Sequence, residues 1–272
     1  MTKENAQQEN KRRGKGSWIW IIWIIIWWTT VISTIKSIHG TVDWKISITL
    51  IVCSLFLAFF AWRAIRYHRG FVSFTAGDYE KADRIFEGLA TNLLIGRRFA
   101  EICHTNLTFT KFLLGDYVNA IRFGQKALKS RRLSPAYRKA VLVYLYASLI
   151  RIGRQDATSK IVEEIEQLPK DPKADSVYGV TKAYQCILAN RPAEALAHIE
   201  TVADCEASVS SCTFNAAMAY ALKALGRNTE AQPYIEKVKQ SPKAKVDLCY
   251  RLYPQLASIL SEAGVTEGSR HA

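Results

Sequence analysis

The sequence lacks the residue patterns that most catalytic and cofactor sites require. Its 272 residues contain no Cys-x-x-Cys pair, no His-Glu-x-x-His zinc motif and neither of the glycine-rich phosphate loops, Gly-x-x-x-x-Gly-Lys-Ser/Thr and Gly-x-Gly-x-x-Gly. Only five histidines occur, and none has the spacing of a metal site. We therefore predict no catalytic residue, no cofactor and no metal ion, and we expect that the protein is not an enzyme.

The six cysteines are too widely scattered for a disulfide framework. This pattern predicts reduced, mostly buried cysteines in a reducing compartment. Cys103 is followed directly by His104, but neighbours on a helix point in different directions and do not form a nucleophile–base pair. The alternatives are a metal or redox pair at Cys205 and Cys212 and a ligand role for His198. Packed or solvated side chains explain these residues more simply.

Acidic residues are scarce in the N-terminal quarter of the chain. Residues 1–70 carry ten Lys and Arg against three Asp and Glu, which gives +7 of the net charge of +13. This excess lies beside apolar runs, a placement typical of membrane topology signals rather than of nucleic-acid binding. The sequence also contains neither an RNA-binding sheet pattern with interleaved aromatic residues nor a known DNA-recognition helix, so we expect no nucleic-acid partner.

Two apolar runs, at 18–35 and 46–62, contain no charged residue. Each would form a helix of about 26–27 Å, close to the thickness of about 30 Å of a bilayer core. They predict a hairpin with transmembrane helix 1 at 18–35, an external loop at 36–45 and transmembrane helix 2 at 46–64, after a basic polar tail at 1–17. A signal peptide is the alternative for the first run, but no small-residue cleavage site follows it.

Lys and Arg are more frequent outside the predicted hairpin than in its loop. The tail carries five, three arginines follow the second span, and the loop holds Lys36 and Lys45. The positive-inside rule therefore predicts a two-pass protein of the cell (inner) membrane, with both termini and the rest of the chain in the cytoplasm.

Five tryptophans lie between residues 18 and 28. Trp20, Trp23 and Trp27 fall within about 60° of one another around a helix, whereas Trp18 stands at the end of the span. A stripe of rings gains little from lipid alone, so we predict that it packs against another helix. The predicted partners are the phenylalanines of the second span, Phe56, Phe59 and Phe60, and another protein is the alternative.

A turn signal recurs at a nearly constant interval after residue 70. Gly77, Gly115, Gly153, Asn190 and Gly226 stand 38, 38, 37 and 36 residues apart. Each lies between two apolar helical patterns, where Gly or Asn lets the chain leave a helix through a left-handed turn. The period predicts a solenoid of helix pairs.

Small residues follow these turns at a fixed distance. An alanine stands five residues after four of the turns and four residues after the third, at Ala82, Ala120, Ala157, Ala195 and Ala231. A large residue follows four positions later in three units, at Phe86, Ile199 and Ile235, whereas the second unit has Gly124. We predict that the alanine allows close helix contact and that the large residue fills the space beside it.

The order Gly-x-Tyr, alanine, aromatic, alanine resembles the tetratricopeptide repeat (TPR) family. The matching residues are Gly77, Tyr79, Ala82 and Phe86 in the first unit and Gly115, Tyr117, Ala120 and Ala127 in the second. The resemblance covers roughly residues 63–241, although the period is longer than the thirty-four residues of the family. It implies an all-α, TPR-like α-solenoid of about five helix pairs, in a repeat domain at 65–263 with a C-terminal capping helix and a flexible tail at 264–272.

The ends of the predicted solenoid follow from its register. Counting back from Gly77 places the first repeat helix directly after the second span, so we expect one continuous helix from about 46 to 76. At the other end, Pro254 is expected to kink or split the capping helix.

The resemblance and the missing chemistry together predict a membrane-anchored scaffold that binds and organises partner proteins at the cytoplasmic face. The candidates for a binding groove on the first helices are Phe109, Lys111, Tyr146, Tyr184 and Tyr220. The alternative is an accessory subunit of a membrane transport or envelope-biogenesis complex, in which the transmembrane hairpin makes the key contacts. Predicted partners are thus other proteins and the lipid bilayer.

Three basic clusters are candidates for contact with anionic lipid headgroups. They are Arg97–Arg98, Lys129–Arg131–Arg132 and Arg138–Lys139, all at predicted turns between helices. The alternative is that they are solvated helix ends.

Overall fold

The computed structural model describes residues 29, 33, 44–91, 97–130, 133–202 and 211–263, and within them all regular structure is helical. Contacts divide the chain into a unit at 1–64 and a unit at 65–272. The helices are α1 (Trp44–Thr75), α2 (Tyr79–Ala90), α3 (Arg97–Leu113), α4 (Tyr117–Leu128), α5 (Pro135–Arg151), α6 (Ser159–Gln167), α7 (Pro172–Leu188), α8 (Pro192–Glu200), α9 (Ser211–Ala224), α10 (Asn228–Lys239), α11 (Lys243–Leu252) and α12 (Ala257–Glu262).

Apart from Thr29 and Ser33, the described part of the first unit is the N-terminal portion of α1, which contains the span predicted at 46–64. The expected continuous helix is present, since α1 runs for 32 residues from Trp44 to Thr75. Many large apolar side chains of this portion are exposed, namely Val52, Leu55, Phe56, Leu57, Phe60 and Trp62. No helix among the described residues is both long enough and apolar enough to cross a membrane.

The phenylalanines predicted to receive the tryptophan stripe lie close together on α1. The ring centres of Phe56 and Phe60 are 4.7 Å apart, and those of Phe59 and Phe60 are 6.0 Å apart. The guanidinium of Arg63 lies 5.4 Å from the centre of the Phe60 ring. Trp20, Trp23 and Trp27, with transmembrane helix 1 as a whole except for Thr29 and Ser33, lie outside the described residues. The stripe therefore stays a prediction.

The turns inside the helix pairs share one backbone geometry. Gly77, Gly115, Gly153 and Gly226 have φ between 74° and 82°, and Asn190 has φ of 55°. The next backbone N–H donates back to a carbonyl five residues earlier, as from Asp78 to Ser73 at 2.9 Å, which is the Schellman arrangement of a helix end. In the first two pairs the residue after the glycine, Asp78 or Asp116, also accepts from a backbone N–H of the following helix.

The alanines after these turns lie at the contact between helices. Ala82, Ala120, Ala195 and Ala231 are all fully buried. Phe86, Ile199 and Ile235 are also buried beside them, as is Ala127, the next-to-last residue of α4. At Gly124 a Cβ would stand 3.0 Å from Leu145 Cδ1, so the neighbouring leucine already occupies the place of a side chain there.

The third pair departs from this register. The second helix begins two residues after the turn residue in pairs one, two, four and five, but α6 begins at Ser159, six residues after Gly153. A 3-10 turn at Gln155–Ala157 fills the interval. Ala157 is only half-buried, and the position five residues after Gly153 is taken by Thr158, which is buried.

The C-terminal cap consists of two short helices instead of one. α11 ends at Leu252, a 3-10 turn follows at Pro254–Leu256, and α12 completes the segment. Proline provides no backbone N–H for an α-helix, which explains the split. Val246, Leu252 and Leu260 join the main hydrophobic core, and Lys223 of α9 pairs with Glu262 of α12. The segment thus adds a sixth, short pair to the stack.

The first helices of successive pairs form one layer. α3, α5, α7, α9 and α11 contact one another in chain order, and from α4 onwards each second helix packs on the first helix of its own pair. α5 is buried over most of its length, from Val141 to Ile150 apart from Tyr144. This central helix carries residues of both surfaces described below.

We predict that Gly179→Ala destabilises the solenoid. A Cβ at Gly179 would stand 2.5 Å from Val202 Cγ1, and inserting a carbon into a filled site costs about 1–3 kcal/mol. The midpoint of urea unfolding, followed by circular dichroism, should fall accordingly.

The matched control for this test is Gly88→Ala. A Cβ there meets only the end of the long Arg66 side chain, at 3.1 Å, and alanine favours a helix by about 1 kcal/mol over glycine. Its unfolding midpoint should be unchanged or higher. Equal midpoints for both variants would contradict the close contact of α7 with the end of α8.

Candidate functional site

An arginine lies between two tyrosine rings at the end of α5. The guanidinium carbon of Arg151 is 3.8 Å from the centre of the Tyr184 ring and 4.2 Å from that of Tyr253. The two rings meet edge to face with centres 5.0 Å apart. Tyr184 comes from α7, and Tyr253 comes from the break between α11 and the terminal 3-10 turn. Three helix pairs therefore converge on one cation.

A row of aromatic rings continues from this cluster onto α3 and α4. Tyr144 of α5 lies 4.7 Å from Phe109 and 5.2 Å from Phe112, and Phe112 lies 5.6 Å from Tyr117, measured between ring centres. Burial raises the pKa of Tyr117, and the positive charges of Arg151 and Arg251 oppose this rise. Phe112, Tyr184 and Tyr253 belong to one hydrophobic cluster, and Tyr117 and Tyr144 pack against it, so the row and the arginine cluster are continuous. We call this surface the aromatic face, and its residues are Phe109, Phe112, Tyr117, Tyr144, Arg151, Tyr184, Arg251 and Tyr253.

The aromatic face is partly open to solvent. Phe109, Tyr117 and Tyr144 are half-buried, and Arg251 is exposed. Within the described residues no carboxylate forms an ion pair with Arg151 or Arg251. The face therefore offers rings and positive charge, the two kinds of group that are enriched where proteins bind one another.

The groove residues predicted from sequence divide into two groups. Phe109 belongs to the aromatic face, and Tyr220 is half-buried. Tyr146 and Tyr184 are buried, and the Tyr146 hydroxyl donates to Gln185 Oε1 at 2.6 Å. Tyr146 thus serves the packing of the first helices, whereas Tyr184 is buried beneath Arg151 as part of the aromatic face.

Lys111, another groove candidate, is held by carboxylates. Its Nζ lies 2.8 Å from Asp83 Oδ2 and 3.9 Å from both Glu87 and Asp116. Burial alone would lower the pKa of Lys111, but the three carboxylates raise it. This lysine joins α2, α3 and the turn before α4, and it is not free to bind an anion.

Sequence reasoning missed the contribution of the C-terminal segment. Arg251 and Tyr253 lie beyond the last repeat signal, so no periodic pattern marks them. Arg151 was also missed, although it closes α5 two residues before the turn at Gly153. A cation at the end of a helix is common, and only the contact with two distant rings distinguishes this one.

The basic cluster Arg138–Lys139 does not form an open anion site. Arg138 pairs with Glu164 at 2.5 Å. Lys139 is buried, pairs with Asp175 at 2.5 Å and donates to the carbonyl of Pro169 at 3.0 Å. Of the other predicted clusters only Lys129 has a described side chain, and it is exposed.

The part of the chain that the structure describes contains no group of three or more His, Cys, Asp or Glu side chains that could hold a metal ion. His104 stacks on Phe123 with ring centres 5.8 Å apart, and burial lowers its pKa. His198 is half-buried, and burial likewise lowers its pKa. Both histidines therefore favour the neutral form.

A groove lies on the opposite side of α5, between α4 and the delayed start of α6. It has a volume of about 320 Å³. Leu145 and Leu149 form its floor, Val118 and Ile121 of α4 form one wall, and Ala157 and Ile161 form the other. We call it the outer groove. The groove was not predicted from the sequence. The one sign of it is that Ala157 follows its turn residue by four positions instead of five.

No family model and no curated protein sequence matches the chain. Its structure is similar to that of TTC0263, a thermophilic TPR protein of Thermus thermophilus, with a TM-score of 0.51. The comparison covers 72% of this chain and 99% of that chain at 17% sequence identity. A likeness at this identity shows the fold alone. The predicted all-α, TPR-like solenoid is thereby confirmed, whereas its membrane anchor stays a prediction.

We predict that the Tyr253 hydroxyl makes the stability of the protein fall at alkaline pH. Burial raises the pKa of Tyr253 from 10.0 to about 12, although Arg151 opposes this rise. Since the pKa is higher in the folded protein, the contribution to stability is complete below pH 10 and disappears as the pH rises towards 12. In Tyr253→Phe the loss of unfolding free energy over this interval should be smaller by on the order of 2–3 kcal/mol.

The measurement is urea unfolding at several pH values between 8 and about 12. Tyr137→Phe, which changes an exposed tyrosine, is the control and should follow the wild type. The same pH dependence in Tyr253→Phe and the wild type would contradict the burial of this hydroxyl beneath Arg151.

Proposed function

We propose that the protein is a non-catalytic scaffold, anchored in the cell (inner) membrane, that binds and organises partner proteins at the cytoplasmic face. The observation that carries this proposal is the aromatic face, where half-buried rings stand beside two arginines that have no carboxylate partner in the described residues. Rings and guanidinium groups give large contact area and directional contacts at low entropic cost. Such a surface suits a protein segment better than a small substrate.

The architecture supports the same function. A stack of helix pairs exposes a long, rigid surface whose side chains come from several repeats. The aromatic face joins residues of α3, α4, α5, α7 and the C-terminal segment. A partner that binds this face would therefore contact residues of several repeats at once. Acidic side chains on that partner would complement Arg151 and Arg251.

Membrane anchoring rests on the apolar runs of the sequence and on the exposure of apolar side chains along α1. The two uncharged runs at 18–35 and 46–62 and the flanking Lys and Arg support a two-pass anchor with both termini in the cytoplasm. Leu55, Phe56 and Leu57 are each more than 60% exposed, which is a costly arrangement in water. A bilayer or another apolar helix would cover them.

The second candidate function is an accessory subunit of a membrane transport or envelope-biogenesis complex. The run of five tryptophans in residues 18–28 favours it, since a stripe of rings in a membrane helix suits contact with another helix. In that case the hairpin, and not the solenoid, would make the key contacts.

We expect Arg251→Glu to weaken the capture of partner proteins. The exposed guanidinium of Arg251 would be replaced by a charge that repels an acidic partner, while the helix packing stays unchanged. Crosslinking in native membranes, followed by mass spectrometry, should show at least about a fivefold loss of the captured proteins.

Arg84→Glu is the matched control, because Arg84 is an exposed arginine of α2 outside the aromatic face. It should leave capture unchanged. A chain without residues 18–62 separates the two candidate functions: capture that persists supports the scaffold, and capture that disappears together with the hairpin supports the accessory subunit.

We expect a tag placed after Ala272 to be cut by protease in inverted inner-membrane vesicles and protected in intact spheroplasts. The five Lys and Arg of the N-terminal tail and the three that follow residue 62 predict this orientation. A periplasmic protein with a known orientation serves as the control for intact spheroplasts. Cleavage of the tag in spheroplasts would exclude the proposed topology.

A further inference from the structure

We propose that the outer groove binds an amphipathic helical segment of a partner protein, with apolar residues one turn apart inside the groove and acidic residues towards its basic rim. The proposal rests on the protein-binding function proposed above. It concerns a different surface, however, on the other side of α5 from Tyr144 and Arg151. The two sites can therefore fail independently in experiments.

The groove exists because α6 starts late. In the regular pairs the second helix begins two residues after the turn. After Gly153 the chain instead forms a 3-10 turn at Gln155–Ala157, and α6 has only nine residues. One side of α4, together with Leu145 and Leu149 of α5, therefore lines an open groove. The missing element is about one turn of helix.

The wall of the groove has the wrong composition for a surface that faces only water. The positions three, six and ten residues after the turn are Val118, Ile121 and Gln125 in the second pair. In the first pair they are Glu80, Asp83 and Glu87, and in the fifth they are Thr229, Gln232 and Glu236. Val118 is nevertheless 68% exposed. A β-branched apolar residue at an exposed helix position gains nothing there unless something covers it.

The rim of the groove is basic. Arg122 lies on α4, about 40° from Val118 around the helix axis, and Lys129 follows directly after the end of α4; both are exposed. Arg154 lies at the opposite rim, and its side chain is 61% exposed. Among the described residues its one ion pair is a long contact of 3.8 Å with Asp156. Positive charge on two sides of an apolar groove is complementary to a segment that combines apolar anchors with Glu or Asp.

A helix suits this groove better than an extended strand. The flanking elements α4, α5 and α6 are helices, and their backbone N–H and C=O groups are used within them. An extended segment would find no backbone partner and would lose hydrogen bonds to water, whereas a helix satisfies its own backbone. The volume of about 320 Å³ is at the lower end of the range for ligand pockets. It accommodates the i and i+4 anchors of an amphipathic helix.

The test uses the full-length protein in nanodiscs of neutral lipid and a fluorescein-labelled helical peptide of about 16 residues, roughly four turns. The peptide carries Leu at two positions four residues apart, Glu on the flanking positions and Ala elsewhere. We expect saturable binding by fluorescence anisotropy. Ala157→Phe, which fills the groove, should raise the Kd at least about tenfold, and the double variant Arg122→Glu with Lys129→Glu should do the same.

A charge exchange makes the test specific. A second peptide with Lys in place of every Glu should bind the double variant more tightly than it binds the wild type. Arg84→Glu is the matched control, because Arg84 stands seven residues after Gly77, as Arg122 does after Gly115. It should leave binding of the Glu peptide unchanged. Thermal unfolding, followed by circular dichroism, shows whether each variant folds. If Ala157→Phe does not fold, the double variant still tests the proposal, because both of its substitutions are at exposed residues.

Three results would overturn the proposal. The first is that the wild type does not bind the Glu peptide. The second is that the wild type and both groove variants bind it with equal affinity. The third is that Arg84→Glu loses as much affinity for the peptide as the double variant does. Self-association that Ala157→Phe abolishes would identify a second copy of the chain as the occupant and would also overturn it. Loss of partner capture in Arg251→Glu with peptide binding intact would show that the aromatic face and the outer groove act separately.

Discussion

The left-handed turn residue between the helices of each pair is the constraint on which the solenoid depends. With φ between 55° and 82° at Gly77, Gly115, Gly153, Asn190 and Gly226, the chain reverses in two residues and returns a backbone hydrogen bond to the helix that it has left. This fixed reversal sets the register of the second helix. In pairs one, two, four and five, an alanine five residues later then meets the first helix, and close approach there lets larger side chains fill the core.

The two surfaces arise where this constraint is relaxed. After Gly153 the turn is made, but a 3-10 segment delays α6 and the outer groove opens beside α4. After Leu252 a 3-10 turn at Pro254–Leu256 takes the place of the regular turn, and Tyr253 lies against Arg151 and Tyr184. Each surface thus includes an irregular position of the stack, which leaves a cavity beside α4 in one case and brings Tyr253 to Arg151 in the other.

The sequence predicted the parts of the fold that are local. The turn residues and the split at Pro254 follow from backbone sterics within a few residues, and the structure has both. The alanines after the turns are buried in pairs one, two, four and five, whereas Ala157 in the third pair is half-buried. The aromatic face could not be predicted, because it depends on which side of each helix faces its neighbours. Tyr146 was predicted to line a groove, but the helix phase buries it, and Tyr184 contributes to the aromatic face only from beneath Arg151. Arg251 and Tyr253 lie outside any repeat, so that only the folded chain brings them to Arg151.

Helix α5 belongs to both surfaces and therefore determines how they can be studied. Tyr144 and Arg151 face the aromatic side, whereas Leu145 and Leu149, about 100–140° further around the helix, form the floor of the outer groove. Because its middle is buried on nearly every side, a volume change on α5 would move atoms at both surfaces together. Side chains on the flanking elements, such as Arg122 on α4 and Arg251 on α11, alter one surface and leave the other in place. The separate roles of the two surfaces can therefore be distinguished only from these flanking helices.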